Sequence, residues 1–243
     1  MKKRFDSILV EKNFFNSRTK SQVHILAGEV YVDGVRETKP SKLIDEDADI
    51  NLKLISDKYV SRSGEKLSSA INKFEIKVHS KICLDIGAST GGFTECLLKN
   101  SAKKVYSVDV GYGQLDWNIR NNVCVEVLEK TNARYLDSDI ISDKLDAIVC
   151  DVSFISLKKV IKPNIKFLKT KGWLISLIKP QFEIGKDLLG KGGIVKNAEH
   201  HQMVVDDIRV FFENEIDLSI KGIIDSPIPV SYTHLTLPTI YSV

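Results

Sequence analysis

From residue 82 onward the chain alternates short apolar runs with stretches of helical period. The runs cover residues 82–86, 105–109, 123–128, 146–151 and 173–180. They are rich in Val, Ile, Leu and Cys and fit strands buried on both faces. Between the last two, Leu157, Val160, Ile161, Ile165 and Leu168 recur at the spacing of one helix face. Strand and helix in alternation predict an α/β fold, a doubly wound parallel sheet with helices on both sides. A helix is expected from Lys66 to Phe74, after a polar linker over residues 56–65.

The front of the chain reads differently. Two short helices are expected over residues 5–15 and 17–27, with Gly28 as a stop. Strands at 30–32 and 50–54 follow, the first turned by Asp33-Gly34. These make a small α+β unit, marginal by itself. The expected division is 1–57 for this unit, 58–66 for the linker and start of the second domain, 67–229 for that domain, and 230–243 for a tail.

Composition narrows the class. Hydrophobic content of 43% and charged content of 28% are those of an ordinary soluble protein. A net charge of +3 requires any nucleic-acid surface to be local. No apolar run approaches membrane-spanning length, and charged residues interrupt the stretch after Met1-Lys2-Lys3-Arg4. Cys83, Cys96, Cys124 and Cys150 lack metal-ligand spacing and read as free thiols of a reducing cytoplasm. No metal and no membrane partner are expected.

The segment Ile82-Cys83-Leu84-Asp85-Ile86-Gly87-Ala88-Ser89-Thr90-Gly91-Gly92-Phe93-Thr94 reads as strand, glycine loop and helix start. Gly87 to Gly91 spells G-x-S-x-G, the turn that presents a hydrolase serine. That chemistry needs an acid and then a histidine on later strand ends. The later histidines are His200 and His201 in a polar helical stretch and His234 in the tail. A dinucleotide site wants G-x-G-x-x-G, and Ser89 breaks that spacing. A tight turn without ligand is the plain structural alternative.

S-adenosylmethionine fits the loop best, since it has no pyrophosphate and can lie against small residues near a helix N-terminus. Candidate contacts are Asp85, Gly87, Ala88, Ser89, Gly91, Gly92 and Phe93. Asp109, at the end of the next strand, can accept both ribose hydroxyls. Asn132 is the candidate for adenine.

Gly87, Asp109, Asp151 and Lys179 all fall at carboxyl ends of expected strands, where open α/β sheets bind ligands. Asp151 and Lys179 are either a structural ion pair or a catalytic couple. Beside a second cation, for which Lys66 is placed, a partly desolvated lysine can take a proton from an alcohol.

Residues 4–10, 17–22 and 25–34 resemble the S4 RNA-binding domain. The resemblance implies RNA contact through Arg4, Ser17, Arg18 and Lys20, with Arg62 of the linker joining them. From residue 4 to about 229 the chain resembles the hemolysin A (TlyA) family of RNA 2′-O-methyltransferases, an S4 domain joined to an FtsJ-like, Rossmann-like methyltransferase domain. The motifs that carry it are residues 60–67, 84–94, 108–115, 151–157 and 179–183. The family's chemistry, methylation of ribose 2′-hydroxyls in ribosomal RNA, uses a Lys-Asp-Lys-Glu tetrad. Lys66, Asp151 and Lys179 match its first three members. A soluble monomer acting on the ribosomal subunit is implied.

Lys186, Lys191 and Lys196, set among Gly185, Gly190, Gly192 and Gly193, suggest a basic lid over RNA. The fourth member of the tetrad has no match. After Ser226-Pro227-Ile228-Pro229 the tail lacks any carboxylate side chain and does not resemble the family's ending. A frameshift or foreign sequence is expected there, with the family's last strand lost, the sheet opened, and activity or folding impaired. Two other readings stay open: an RNA-binding protein with an inactive methyltransferase domain, and a membrane-lysing protein, as the family's name suggests.

Overall fold

The structure, a computed structural model, describes residues 2–15, 17–26, 28–52, 58–190, 195, 197–228 and 238–242. The chain divides into two compact units, Met1–Asp57 and Lys58–Val243.

In the first unit, β1 (Lys2–Arg4) leads into α1 (Phe5–Glu11) and α2 (Arg18–Leu26). The strands β2 (Val30–Val32), β3 (Val35–Arg36), β4 (Leu43–Asp45) and β5 (Ile50–Leu52) follow. β2 pairs with β3 and β5, and β1 pairs with β4, all antiparallel. Phe5, Ile8, Leu9, Ile25, Val30 and Ile50 form the core. α1 is shorter than its apolar period predicts, because the chain turns at Asn13 with φ +59°. Gly28 at φ +71° supplies the expected stop, and the Arg36 guanidinium fills the space a side chain there would need. The end of the expected strand at 53–54 lies outside the described residues.

The second unit is built on one seven-stranded sheet. Its elements begin with α3 (Ser63–Lys73), β6 (Ile82–Ile86), α4 (Gly92–Lys99), β7 (Lys104–Val108), α5 (Trp117–Arg120) and β8 (Val125–Leu128). They continue with β9 (Leu145–Cys150), α6 (Leu157–Asn164), β10 (Leu168–Leu177), α7 (Pro180–Glu183), α8 (Ala198–Val210), β11 (Ile220–Asp225) and β12 (Pro238–Ser242). The order is β11-β12-β10-β9-β6-β7-β8, and the five strands from β10 to β8 run parallel.

Alternate residues of each central strand enter opposite cores, as a sheet covered on both faces requires. Leu84, Ile86, Tyr106 and Ile148 pack with Ile161 of α6 and Ile208 of α8. Cys83, Val105, Ala147 and Val149 pack with Leu67 of α3 and Phe93 and Leu97 of α4. β10 starts earlier than the apolar run predicts, because its polar beginning pairs through Leu168 before a register shift ahead of Trp173.

One expectation is overturned. The last strand is present, and the tail supplies it. Pro238–Ser242 inserts between β10 and β11, antiparallel to both, so the sheet runs without a gap from β10 to β11. Residues Thr239-Ile240-Tyr241 suit a strand, and Pro238 falls at its first position, where a missing N–H is tolerated. Of the proposed basic lid, Lys191, Gly192, Gly193 and Lys196 lie outside the described residues. Among the described residues no helix is long and apolar enough to cross a membrane.

The start of α3 lies tight against the start of α4. A Cβ on Gly92 would collide with the Ser61 and Ser63 hydroxyls and come within 2.8 Å of Gly64 N. Replacing Gly92 by Ala should therefore cost about 1–3 kcal/mol and lower Tm by several degrees, roughly 3–10 °C, in a thermal melt. An unchanged Tm would show that this approach is not as close as described.

Candidate functional site

Three chain segments meet beyond the carboxyl ends of β6, β9 and β10. Asp151 follows β9, Lys179 follows β10, and Lys66 reaches in from the first turns of α3. Lys179 Nζ lies 2.5 Å from Asp151 Oδ1, and Lys66 Nζ lies 3.5 Å from Asp151 Oδ2. Lys179 Nζ also donates to Ser153 Oγ at 2.8 Å. The side chains of both Asp151 and Lys179 are 12% exposed, so the pair is largely withdrawn from water. Burial by itself would push the Asp151 carboxyl up. The two ammonium groups outweigh that and hold it below its ordinary value. The three residues that the sequence places at separate points are thus one cluster.

The glycine loop abuts this cluster through backbone. Gly87 has φ +84°, and a Cβ there would sit 2.8 Å from the Asp151 carbonyl oxygen. Its N–H donates to Val108 O, as does that of Ala88. Gly91 precedes α4 at φ +99°, where a side chain would strike Ile119 and Leu115. Asp109 accepts from Ser89 N at 2.8 Å through Oδ2 and from Gly111 N at 2.7 Å through Oδ1. Each of those oxygens keeps a second lone pair for an outside donor. The loop beyond it is fixed by Glu129, which accepts from the N–H groups of Gly113, Gln114 and Leu115 and pairs with Arg120 at 2.6 Å. Arg120 and these N–H groups bring the Glu129 carboxyl down to about 2.

Ser89 is exposed at φ +48°, and its hydroxyl donates to Gln114 at 3.4 Å. Two of the described histidine side chains bond elsewhere, His24 to Glu29 and His201 to Val195 O. Among the described residues, the serine of the G-x-S-x-G pattern has no histidine partner.

Two candidate contacts have other commitments in the structure. Phe93 is 3% exposed and packs into the core, since its position on the first turn of α4 faces the sheet. Asn132 caps a short helical turn, its Oδ1 accepting from Arg134 N at 3.1 Å. Gly92 serves the packing of α3 described above rather than an open surface.

Asp85 is wholly buried one residue before the end of β6. Thr94 donates to its Oδ2 at 2.7 Å, and its Oδ1 has no partner in the structure. Burial pushes the carboxyl up to about 7, and the charges of Asp151 and Asp109 add to the shift.

Sequence reasoning passed over Ser153, Glu129 and Glu183, although the first and last stand in motif segments. It also passed over Phe154, which is 91% exposed at φ +64° beside Ser153, with its ring 5.1 Å from that of Phe182. A bulky residue in that region is a genuine outlier and marks a local constraint.

In the first unit, Asp6 is fully buried and gathers the expected RNA-facing residues. It accepts from Arg4 Nε and Nη2, from Arg18 Nη2 at 3.0 Å and from Gln22 Nε2 at 2.7 Å. Arg4 leads the groups that depress its carboxyl strongly. Ser17 Oγ accepts from Lys20 N at the start of α2, and Lys20 is exposed. Arg62 precedes α3 in the other unit. Among the described residues no group of side chains could hold a metal ion.

A parallel sheet with a glycine loop, an acid on the next strand end and a shared Lys-Asp-Lys cluster defines a Rossmann-like methyltransferase. Comparison with known proteins narrows this. The FtsJ-like methyltransferase family matches residues 59–229 and the S4 domain matches residues 3–50. The chain belongs to the FtsJ-like methyltransferase family, with an S4 domain ahead of the catalytic unit. It is 46% identical over 197 residues to "Hemolysin A" of Brachyspira hyodysenteriae, covering 80% of this chain and 81% of that one. It is 41% identical over 197 residues to the "16S/23S rRNA (cytidine-2'-O)-methyltransferase TlyA" of Mycobacterium tuberculosis, covering 81% and 74%. A solved structure described as "Putative hemolysin from Streptococcus thermophilus" superposes with a TM-score of 0.77 at 36% identity, covering 99% of this chain and 88% of that one.

The raised carboxyl of Asp85 makes stability depend on pH with a defined sign. Its folded value of about 7 exceeds its ordinary value of 3.8, so its contribution is full below about pH 4 and is lost as pH rises through 7. Asp85→Asn stays neutral and should abolish this component. Denaturant unfolding should show the variant gaining on the parent between pH 4 and 8, by about 2–4 kcal/mol. A difference between the two that is constant across that range would contradict the assignment.

Proposed function

We propose that this protein transfers the methyl group of S-adenosylmethionine to a ribose 2′-hydroxyl of ribosomal RNA, in the cytoplasm. The observation that carries the reading is the Asp151 carboxylate shared by Lys179 and Lys66 beside the glycine loop. The cradle suits the cofactor chemically. Asp109 offers free lone pairs to two vicinal hydroxyls, and Gly87 and Gly91 keep side chains off the loop. The orphaned Asp85 Oδ1 is an acceptor with no donor among the described residues. Asp85, Gly87, Ala88, Ser89, Gly91 and Asp109 would hold the group, Gly92 and Phe93 supporting them by packing. Bound there, S-adenosylmethionine supplies an electrophilic methyl on a sulfonium.

The chain's own groups prepare the acceptor. Lys179 Nζ, fixed by Asp151 and Ser153, deprotonates or polarises the 2′-hydroxyl and keeps the oxygen in line. Lys66 balances the carboxylate from the other side, so that Asp151 need not leave its place as the proton moves. Most of the acceleration is positional. Phe154, exposed at the rim, offers a flat face to a base drawn out of its stack. Arg4, Ser17, Arg18 and Lys20 of the first unit supply sequence-independent affinity for the backbone, and Arg62 is a further cation for RNA on the second unit. The named activity of the TlyA relative on ribosomal RNA supports the same substrate class. The tail strand carries no glutamate, so a reduced rate is expected against a relative with the complete tetrad.

Tritium transfer from labelled S-adenosylmethionine to ribosomal RNA tests the reading. Lys179→Ala should lower transfer by a factor of 100 or more, of the order general acid–base groups contribute, while cofactor binding stays intact. Loss of cofactor binding would remove Lys179 from its role. Normal RNA binding with no transfer by the parent chain would favour an RNA-binding protein with an inactive second unit.

The first unit yields a separate expectation. Lys20→Ala should weaken RNA binding about equally across sequences and reduce the slope of log K against log salt by roughly 1. Anisotropy titrations over a range of salt would show it, and an unchanged slope would place Lys20 off the RNA.

A further inference from the structure

Two of the three segments that carry the central cluster are joined a second time, at their far ends, by Glu183. One runs from Asp151 to Ser156 between β9 and α6, and the other from Lys179 to Glu183. Glu183 Oε1 accepts from Leu157 N at 2.6 Å, and Oε2 accepts from the Ser156 hydroxyl at 2.7 Å. A serine before a helix ordinarily turns its own oxygen onto the first-turn N–H groups. Ser156 makes no such bond. The cap of α6 comes instead from a carboxylate that lies 26 residues beyond Leu157 in sequence. The carboxylate is largely buried, which raises its pKa, and the groups that bond to it are neutral N–H and O–H donors.

This places a restraint across the site. The 151–156 segment is held near its start by Asp151 N on Ile86 O at 3.0 Å and at its end by Glu183. Between them lie Asp151 and Ser153, the two groups that hold Lys179 Nζ. The 179–183 segment is tied by the same carboxylate, and Phe154 against Phe182 bridges the middle. Without Glu183 the start of α6 has an uncapped N–H, and the segment bearing Ser153 and Phe154 is free to move away from Lys179.

We propose that Glu183 is a positioning residue for methyl transfer: by capping α6 it keeps Asp151 and Ser153 on Lys179, and it neither touches substrate nor moves a proton. The role in transfer rests on the proposed function, whereas the restraint itself does not. Because the donors are neutral, the charge is dispensable. A glutamine can accept from Leu157 N and donate to a rotated Ser156 hydroxyl, keeping both contacts.

The experiment compares Glu183→Ala, Glu183→Gln and Ser156→Ala in the full chain by two readouts. The first is amide hydrogen exchange at Leu157 and across residues 151–156. Exchange should speed up at least tenfold in Glu183→Ala, less in Ser156→Ala, and return to near the parent rate in Glu183→Gln. The second is single-turnover transfer to ribosomal RNA. The rate should fall about 10- to 100-fold in Glu183→Ala with the cofactor Kd within twofold, and Glu183→Gln should restore it to within about threefold. Should Glu183→Ala not fold, Ser156→Ala and Glu183→Gln report the same order. Unchanged exchange in Glu183→Ala or in Ser156→Ala overturns the restraint. A glutamine variant as slow in transfer as the alanine variant, with protection kept, overturns the positioning role in favour of a charged or proton-moving one. Absence of transfer by the parent chain would sink the proposed function while exchange still decides the restraint.

Discussion

Everything at the centre of the second unit depends on one buried carboxylate with two ammonium groups around it. Asp151 could not stay ionised in that place alone, since burial opposes its charge. Lys179 and Lys66 reverse the balance, and in doing so they are themselves brought to fixed points at the sheet's edge. Breaking such a set by removing one partner leaves an uncompensated charge, which costs more than the set contributes to folding. The arrangement therefore makes better sense as a means of placing an amine than as a source of stability.

The neighbouring features serve the same placement. Gly87 lets the cofactor-type loop approach the Asp151 backbone, so the two halves of the site share one wall. Gly92 lets the start of α3 settle on α4, which sets the reach of Lys66. Glu129 holds the loop after Asp109 by three N–H groups. Each device is a close backbone approach or a carboxylate accepting from backbone, and each fixes a strand-end loop that would otherwise wander.

Much of this was legible in the sequence. Strands 82–86 and 145–150 follow from apolar runs that only a doubly covered sheet can bury, and their ends name Asp151 and the glycine loop directly. Lys66 stands at the first helix as the natural second cation, although nothing in a helix sequence says how far its side chain reaches. The failures share a cause. Phe93 stands among loop glycines, yet the turn of α4 directs it into the core. Asn132 gives its carbonyl oxygen to the cap of a short turn, which the sequence does not announce. Glu183 sits in a recognised motif, but its partner is 26 residues away, and only folding brings the two together. The tail strand was missed for a related reason. Residues 238–242 pair with β11 and with the more distant β10, and only folding brings the three together.

The most direct test of the central claim is to map ribose methylation in ribosomal RNA, by resistance to alkaline cleavage, in cells lacking this gene and complemented by the parent or by Lys179→Ala. The account predicts resistance at discrete riboses with the parent and none with the variant. Methyl groups found on bases rather than riboses, or resistance that survives in the variant, would contradict it.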